Sequence, residues 1–214
     1  GLAQSIRFDA QINRNHAVIS NVSNAISFSQ TQDGFLTKAQ SALNRMSEIS
    51  VLAQDVTKTG TDRSNYSVEF VQLQNYVSDI GTKNFNGVSL FGDYHPSPAG
   101  YDGTNYNGDP VGKEVIIDSN GSKIELNPIN YNGKLTKSGG WWFTQHFGIN
   151  RVFFGSGYER PAYNYYGLDI TSSTSAASAL SNIQTTIQSL ANLRANVGSN
   201  LQRLKLSADQ VGIC

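Results

Sequence analysis

Cysteine is almost missing from this chain. Of 214 residues only the last, Cys214, carries a thiol. An internal disulfide is therefore excluded, and no Cys/His cluster offers a metal site. Charge is also scarce: charged residues make up 15% of the chain, and 16 basic side chains balance 16 acidic ones. A net charge of zero provides no basic face for nucleic acid, while it leaves self-association unopposed. No apolar run reaches the 18 residues that a membrane helix needs. The opening "GLAQSIRFDA" lacks both the charged start and the apolar stretch of a signal peptide, and an initiator Met is absent too. The expectation is a piece cut at both ends, with any export signal further upstream.

Proline is absent from two long stretches. All five prolines fall between residues 93 and 170, together with both tryptophans and 12 of the 20 glycines. Proline lacks the N–H that a helix interior needs and clashes with the preceding turn. The partition therefore predicts an α+β chain: an N-terminal helical part over 1–92, a small β-rich insert over 93–170, and a C-terminal helix over 171–214. The expected architecture is a long antiparallel helical rod with the insert looped out of it.

The helical arms carry their own signal. Numbered in sevens, residues 180–211 put Ile183, Leu190, Val197, Leu204 and Val211 at one position. Leu180, Ile187, Leu201 and Ala208 take the other, and Arg194 is the one break. Such a repeat keeps a seam turned toward a partner helix. The N-terminal arm reads as three helical pieces. The first carries Ile12, Ile19, Val22 and Ile26, and "QTQDG" with Gly34 ends it. The second runs from Leu36 through Ala39, Leu43, Met46, Ile49 and Ala53 to Val56. The third carries Tyr66, Phe70, Leu73, Val77 and Ile80 and stops at Gly81. After it "FNGVSLFG" reads as a turn into a strand, and "KEVIIDSNGSKIEL" as a hairpin around "SNG".

No catalytic constellation is present. His16, His95 and His146 are scattered, and H-E-x-x-H, G-x-S-x-G, a P-loop and G-x-G-x-x-G are all missing. No enzyme activity and no cofactor are expected. The insert is crowded with rings, among them Trp141, Trp142, Tyr163, Tyr165 and Tyr166. Rings of this kind can fill a thin β core, or they can form an exposed platform that stacks on sugars.

The order of the motifs resembles bacterial flagellin. The first bend has Gln30, Thr31, Asp33, Gly34, Phe35 and Leu36 where flagellins carry Q-T-x-E/D-G-A-L. Leu43, Arg45, Met46, Glu48 and Ile49 match L-x-R-M/I-x-E-L, and Phe85, Asn86 and Gly87 match F-N-G. The likeness covers 1–92 and 171–214. Ala25 in "NAIS" and Phe35 depart from the family pattern, and the insert is not covered. The resemblance implies a structural subunit of the flagellar filament that assembles with itself for motility. It also implies an extracellular site reached without a cleaved signal peptide, and help from an export chaperone and a cap. In several flagellins the L-x-R-x-x-x-L stretch and a following Glu are read by the flagellin-sensing Toll-like receptor. Arg45, Ile49 and Glu69 are the matching candidates for receptor or subunit contact. The alternatives are the hook–filament junction protein and a flagellin-like surface protein that binds glycans.

Overall fold

In the computed structural model the described residues are 1–91, 112–129, 131 and 168–211. They form an α+β chain dominated by three helices: α1 (Leu2–Gln54), α2 (Gly60–Ile80) and α3 (Ser173–Val211). Two short antiparallel hairpins accompany them. One pairs β1 (Asn84–Phe85) with β2 (Val88–Ser89), and the other pairs β3 (Glu114–Ile116) with β4 (Lys123–Glu125).

The expected break at "QTQDG" does not occur. One helix of 53 residues runs through it, although a helix-interior glycine costs about 1 kcal/mol relative to alanine. The reason lies in the burial pattern. Val18, Val22, Ser29, Gln32, Leu36, Ala39, Leu43, Met46, Ser50 and Ala53 are all buried, and half-buried Ala25 completes an unbroken alternation of threes and fours. Ser29 and Gln32 hold seam positions as polar residues, so the apolar series looked interrupted where the packed series is not. At the other end, Val56 lies beyond the helix and is exposed.

In α3 one of the two seam positions is as expected, and the other is displaced by one residue. Ile183, Leu190, Val197 and Leu204 are buried, with Ala176 preceding them. Of the expected row Ala208 is buried, whereas Leu180, Ile187 and Leu201 are only half-buried; the second buried row is Ala179, Thr186, Leu193, Asn200 and Ser207. Three of that row are polar, and each is satisfied. Thr186 Oγ1 donates to Asn182 O at 2.9 Å, Ser207 Oγ to Arg203 O at 3.0 Å, and Asn200 reaches across to the chain after β4.

The described parts of Gly1–Phe35, Asn84–Ile129 and Leu193–Cys214 form one compact unit, and those of Leu36–Lys83 and Asn130–Asn192 a second. In the first unit Val18 and Val22 of α1 share a core with Leu204 and Ala208 of α3, and with Val115 and Leu126 of the β3–β4 hairpin. The Asn200 carboxamide accepts from Asn127 N at 2.8 Å and donates to Asn127 O at 3.0 Å, and Arg203 Nη1 donates to Glu125 O at 2.8 Å. Gly112 is required at its place, since a Cβ there would stand 2.5 Å from the backbone oxygen of Leu126. This hairpin, expected within a looped-out insert, thus belongs to a helical core; most of 93–170 lies outside the described residues.

The β1–β2 hairpin closes through Asn86 and Gly87, with φ of 51° and 78°. Two left-handed residues in a two-residue loop match the right-handed twist of the strands. Phe85 meets Phe28 edge-to-face at 6.0 Å, Lys113 Nζ lies 5.7 Å over the Phe28 ring, and Gln32 Nε2 donates to Leu90 O at 2.5 Å. The β3–β4 loop is held by Asp118, whose Oδ1 accepts from Asn120 N at 2.8 Å and Ser122 N at 3.0 Å. These bonds hold its carboxyl below the usual range, the Ser122 bonds contributing most.

In the second unit α2 runs back along α1. Arg45 meets Glu69, and further along Arg63 meets Ala53, so the two helices are antiparallel. The core consists of Leu36, Leu43, Met46 and Ile49 with Phe70, Val77 and Ile80. Of the row read for α2, Phe70, Val77 and Ile80 are buried, whereas Tyr66 and Leu73 are only half-buried and Gln74 takes the buried place beside Leu73. Tyr131 is buried, and its hydroxyl donates to Val77 O at 2.7 Å, which satisfies a carbonyl of the last turn of α2. Burial pushes this phenol above its usual range. Gln74 Nε2 donates to Leu168 O at 3.2 Å, and Ser173 Oγ to Gln54 O at 3.2 Å.

Candidate functional site

The motif L-x-R-M-x-E-I lies in the middle of α1, where helical spacing separates its members. Leu43, Met46 and Ile49 turn into the core, and Arg45 and Glu48, three residues apart, share the outer surface. The antiparallel return of α2 brings Glu69 to the same place. Arg45 Nε donates to Glu69 Oε1 at 2.7 Å and Nη2 to Glu69 Oε2 at 3.1 Å, while Nη1 lies 2.8 Å from Glu48 Oε2. The guanidinium fork is thus shared by two carboxylates, one of them held bidentately. The hydrogen bonds that Arg45 donates to Glu69, then to Glu48, raise the guanidinium pKa, and Arg45 lowers that of Glu69 in return. The side chains of Arg45 and Glu69 are 42% and 43% exposed, so the pair is a surface feature whose worth to stability is small.

Of the three candidates read from the sequence, Arg45 and Glu69 are brought together and Ile49 is not part of their surface. Ile49 is fully buried, and within the chain it acts by packing. Glu48 is the member the candidate set omitted, although its spacing from Arg45 was the available signal. Trp141, Trp142, Tyr163, Tyr165 and Tyr166 lie outside the described residues.

A second, half-buried pair joins two places where the sequence pattern faltered. Arg194, the break in the α3 repeat, donates from Nε to Asp33 Oδ1 at 2.9 Å. Asp33 belongs to "QTQDG", the supposed bend. The hydrogen bond to Asp33 raises the Arg194 pKa.

Among the described residues no group of three His, Cys, Asp or Glu side chains is placed to hold a metal ion. No described helix is long and apolar enough to cross a membrane. Exposed apolar side chains are more prominent. Leu2, Ile6, Phe8 and Ile12 stand out from the first turns of α1, where every residue from 1 to 17 is exposed. Others are Val51, Val56, Val68 and Leu206. Surfaces like these suit association better than catalysis.

Comparison with known proteins shows what the chain resembles. Residues 1–95 match the bacterial flagellin N-terminal helical region. The whole chain aligns at 25% identity with the flagellar filament 30.7 kDa core protein of Treponema maltophilum, covering 66% of that protein. Over 91 residues, 42% of this chain and 24% of the relative, it is 38% identical to flagellin of Clostridium tyrobutyricum. It is 25% identical to flagellin of Listeria innocua over 213 residues, 99% of this chain and 65% of the relative. The chain thus spans at most about two thirds of these relatives. The crystal structure of Bacillus cereus flagellin shares the fold, with a TM-score of 0.61 at 23% identity over 90% of this chain and 88% of that one. The likeness to bacterial flagellins is thus shown over residues 1–95, where the motifs lie on the continuous α1 and in the β1–β2 hairpin, and the fold is that of a solved flagellin.

Proposed function

We propose that the chain is a structural subunit of the extracellular bacterial flagellar filament and works by self-assembly for motility. The observation that carries this reading is the fully exposed start of α1, with Leu2, Ile6, Phe8 and Ile12 open to water. A helical stretch that displays four large apolar side chains gains by burying them against another surface. The likeness to a flagellar filament core protein along the whole chain supports the same role. Zero net charge favours close association of like copies. The role assigns work to surfaces and asks no catalytic group of the chain. An export chaperone and a cap are the further partners it implies.

The test is complementation. A filament-negative bacterium that expresses the full-length gene product should produce long uniform filaments by negative-stain electron microscopy. Cells that remain bare, with the protein exported, would overturn the reading in favour of the junction role.

A second reading concerns the Arg45–Glu48–Glu69 surface. Its exposure and its fixed geometry support recognition by the flagellin-sensing Toll-like receptor. A reporter-cell assay should show a response that Arg45→Ala lowers at least tenfold; an equal response from the variant would remove this surface from recognition.

A further inference from the structure

Two surface features take no part in the packing described above. The first is the turn between α1 and α2. It presents Val56 with 90% of its surface exposed, beside Lys58. The turn is tightly held. Asp55 Oδ1 accepts from the N–H and the hydroxyl of Thr57, both at 2.8 Å, and Asp62 Oδ2 does the same for Thr59 at 2.8 Å. Arg63 donates to Ala53 O at 2.8 Å and to Asp55 O at 2.9 Å. An apolar side chain displayed on a turn so fixed loses little freedom on binding.

The second is a shallow groove of about 410 Å³ on the outer face of α3, lined by Gly198, Leu201, Gln202, Lys205, Leu206 and Asp209. Leu206 is exposed, and nothing stands within 4 Å of where a Cβ of Gly198 would be. Glycine inside a helix is disfavoured, and among the described residues no close neighbour calls for one here. Its missing side chain leaves a notch beside an exposed leucine.

We infer that Val56 of one copy seats in the Gly198–Leu206 groove of a second copy. The inference rests on the self-assembly reading and names the surfaces it would use. Charge favours this occupant. The turn carries Lys58 between Asp55 and Asp62, and the groove is flanked by Lys205 and Asp209, so each sign on the turn has an opposite on the groove. Two turns meeting each other would bring Lys58 against Lys58. Because the two patches differ, the contact is heterologous, and repetition without closure yields an open filament.

Cross-linking tests it. Val56→Cys and Leu206→Cys variants, each also carrying Cys214→Ser, are mixed under mild oxidation. The expected products are mixed disulfide dimers, and a ladder of multimers from the doubly substituted chain. Lys58→Glu on the first partner should lower the yield several-fold, and Asp209→Lys on the second should restore it. Val56→Cys homodimers that form as readily as mixed dimers would overturn the contact. If the unsubstituted chain sediments as oligomers while the mixed pair fails to cross-link, the contact falls and the self-assembly reading stands. If the chain neither sediments as oligomers nor cross-links at its highest attainable concentration, the contact falls, and bare cells in the full-length complementation would take the self-assembly reading with it.

Discussion

The two units draw on the same helices α1 and α3 but are held together differently. Among the described residues the second unit has more of the large buried apolar side chains, Leu36, Leu43, Met46, Ile49, Phe70, Ile80 and Ile183, against Phe28, Leu90 and Phe91 in the first. The first has a core of Val18, Val22, Val115, Leu126, Leu204 and Ala208, and buries Ser29, Gln32, Asn200 and Ser207 beside it. Its connecting segments are tied by directed bonds, from Gln32 to Leu90, between Asn200 and Asn127, and from Arg203 to Glu125. Apolar volume stabilises in proportion to area buried, whereas hydrogen bonds contribute little net energy but are costly to leave half made. The second unit thus relies more on volume, with directed bonds from Tyr131, Gln74 and Ser173 added to it, and the first relies more on matching.

The largest effect should come from removing volume. Phe70→Ala is expected to cost about 3–5 kcal/mol in a urea unfolding titration. Val22→Ala, in the smaller core, should cost about 2 kcal/mol at roughly 0.8 kcal/mol per buried methylene equivalent. Equal losses would erase the distinction between the units. Next comes Asn200→Ala, which leaves both backbone groups of Asn127 unanswered and should cost about 1–3 kcal/mol. Hydrogen exchange would sharpen this one, because protection should fall first at residues 112–129 and not in α2.

Ser29→Ala should have a smaller effect, and of opposite sign. The Ser29 hydroxyl is buried without a hydrogen-bond partner among the described residues. Its removal should leave the unfolding midpoint unchanged or raise it by up to about 1 kcal/mol equivalent. A clear loss of stability would mean that the hydroxyl is satisfied after all. The smallest effect is expected at Arg45 and Glu69. Arg45 depresses the Glu69 pKa, so the pair's contribution is complete above the unfolded pKa of about 4.3 and is lost as pH falls through the lower folded value. Because the pair is exposed, Arg45→Gln should scarcely move the acid limb of a stability–pH curve.

What was legible in the sequence follows the same division. Large apolar residues at fixed spacing revealed α2, the main row of α3 and the second half of α1. The Ser-Asn-Gly turn pointed to the β3–β4 hairpin, and Asn-Gly to a turn leading into β2, through the backbone freedom of glycine; β1 was not foreseen. The continuity of α1 and the second row of α3 were missed, because Ser29, Gln32, Thr186, Asn200 and Ser207 hold buried positions as polar side chains. Their partners are mostly backbone atoms, which leave no mark on composition. The pairing of Arg194 with Asp33 was hidden for a related reason: each was read alone as an interruption, and only the fold joins them. At the candidate surface, Arg45 and Glu69 could be named from the family motif, but that motif does not distinguish an outward Arg45 from an inward Ile49.

The carboxamide of Asn200 has one further consequence. A heptad repeat is nearly the same after a shift of seven residues, so a purely apolar α3 could dock one repeat out of place at little cost. Such a slip would bring Leu193 opposite Asn127, where neither the N–H nor the C=O of that residue would find an answer. One amide in the buried row thus acts as a check digit: it adds little to the strength of the correct alignment and penalises the slip that puts Leu193 in its place.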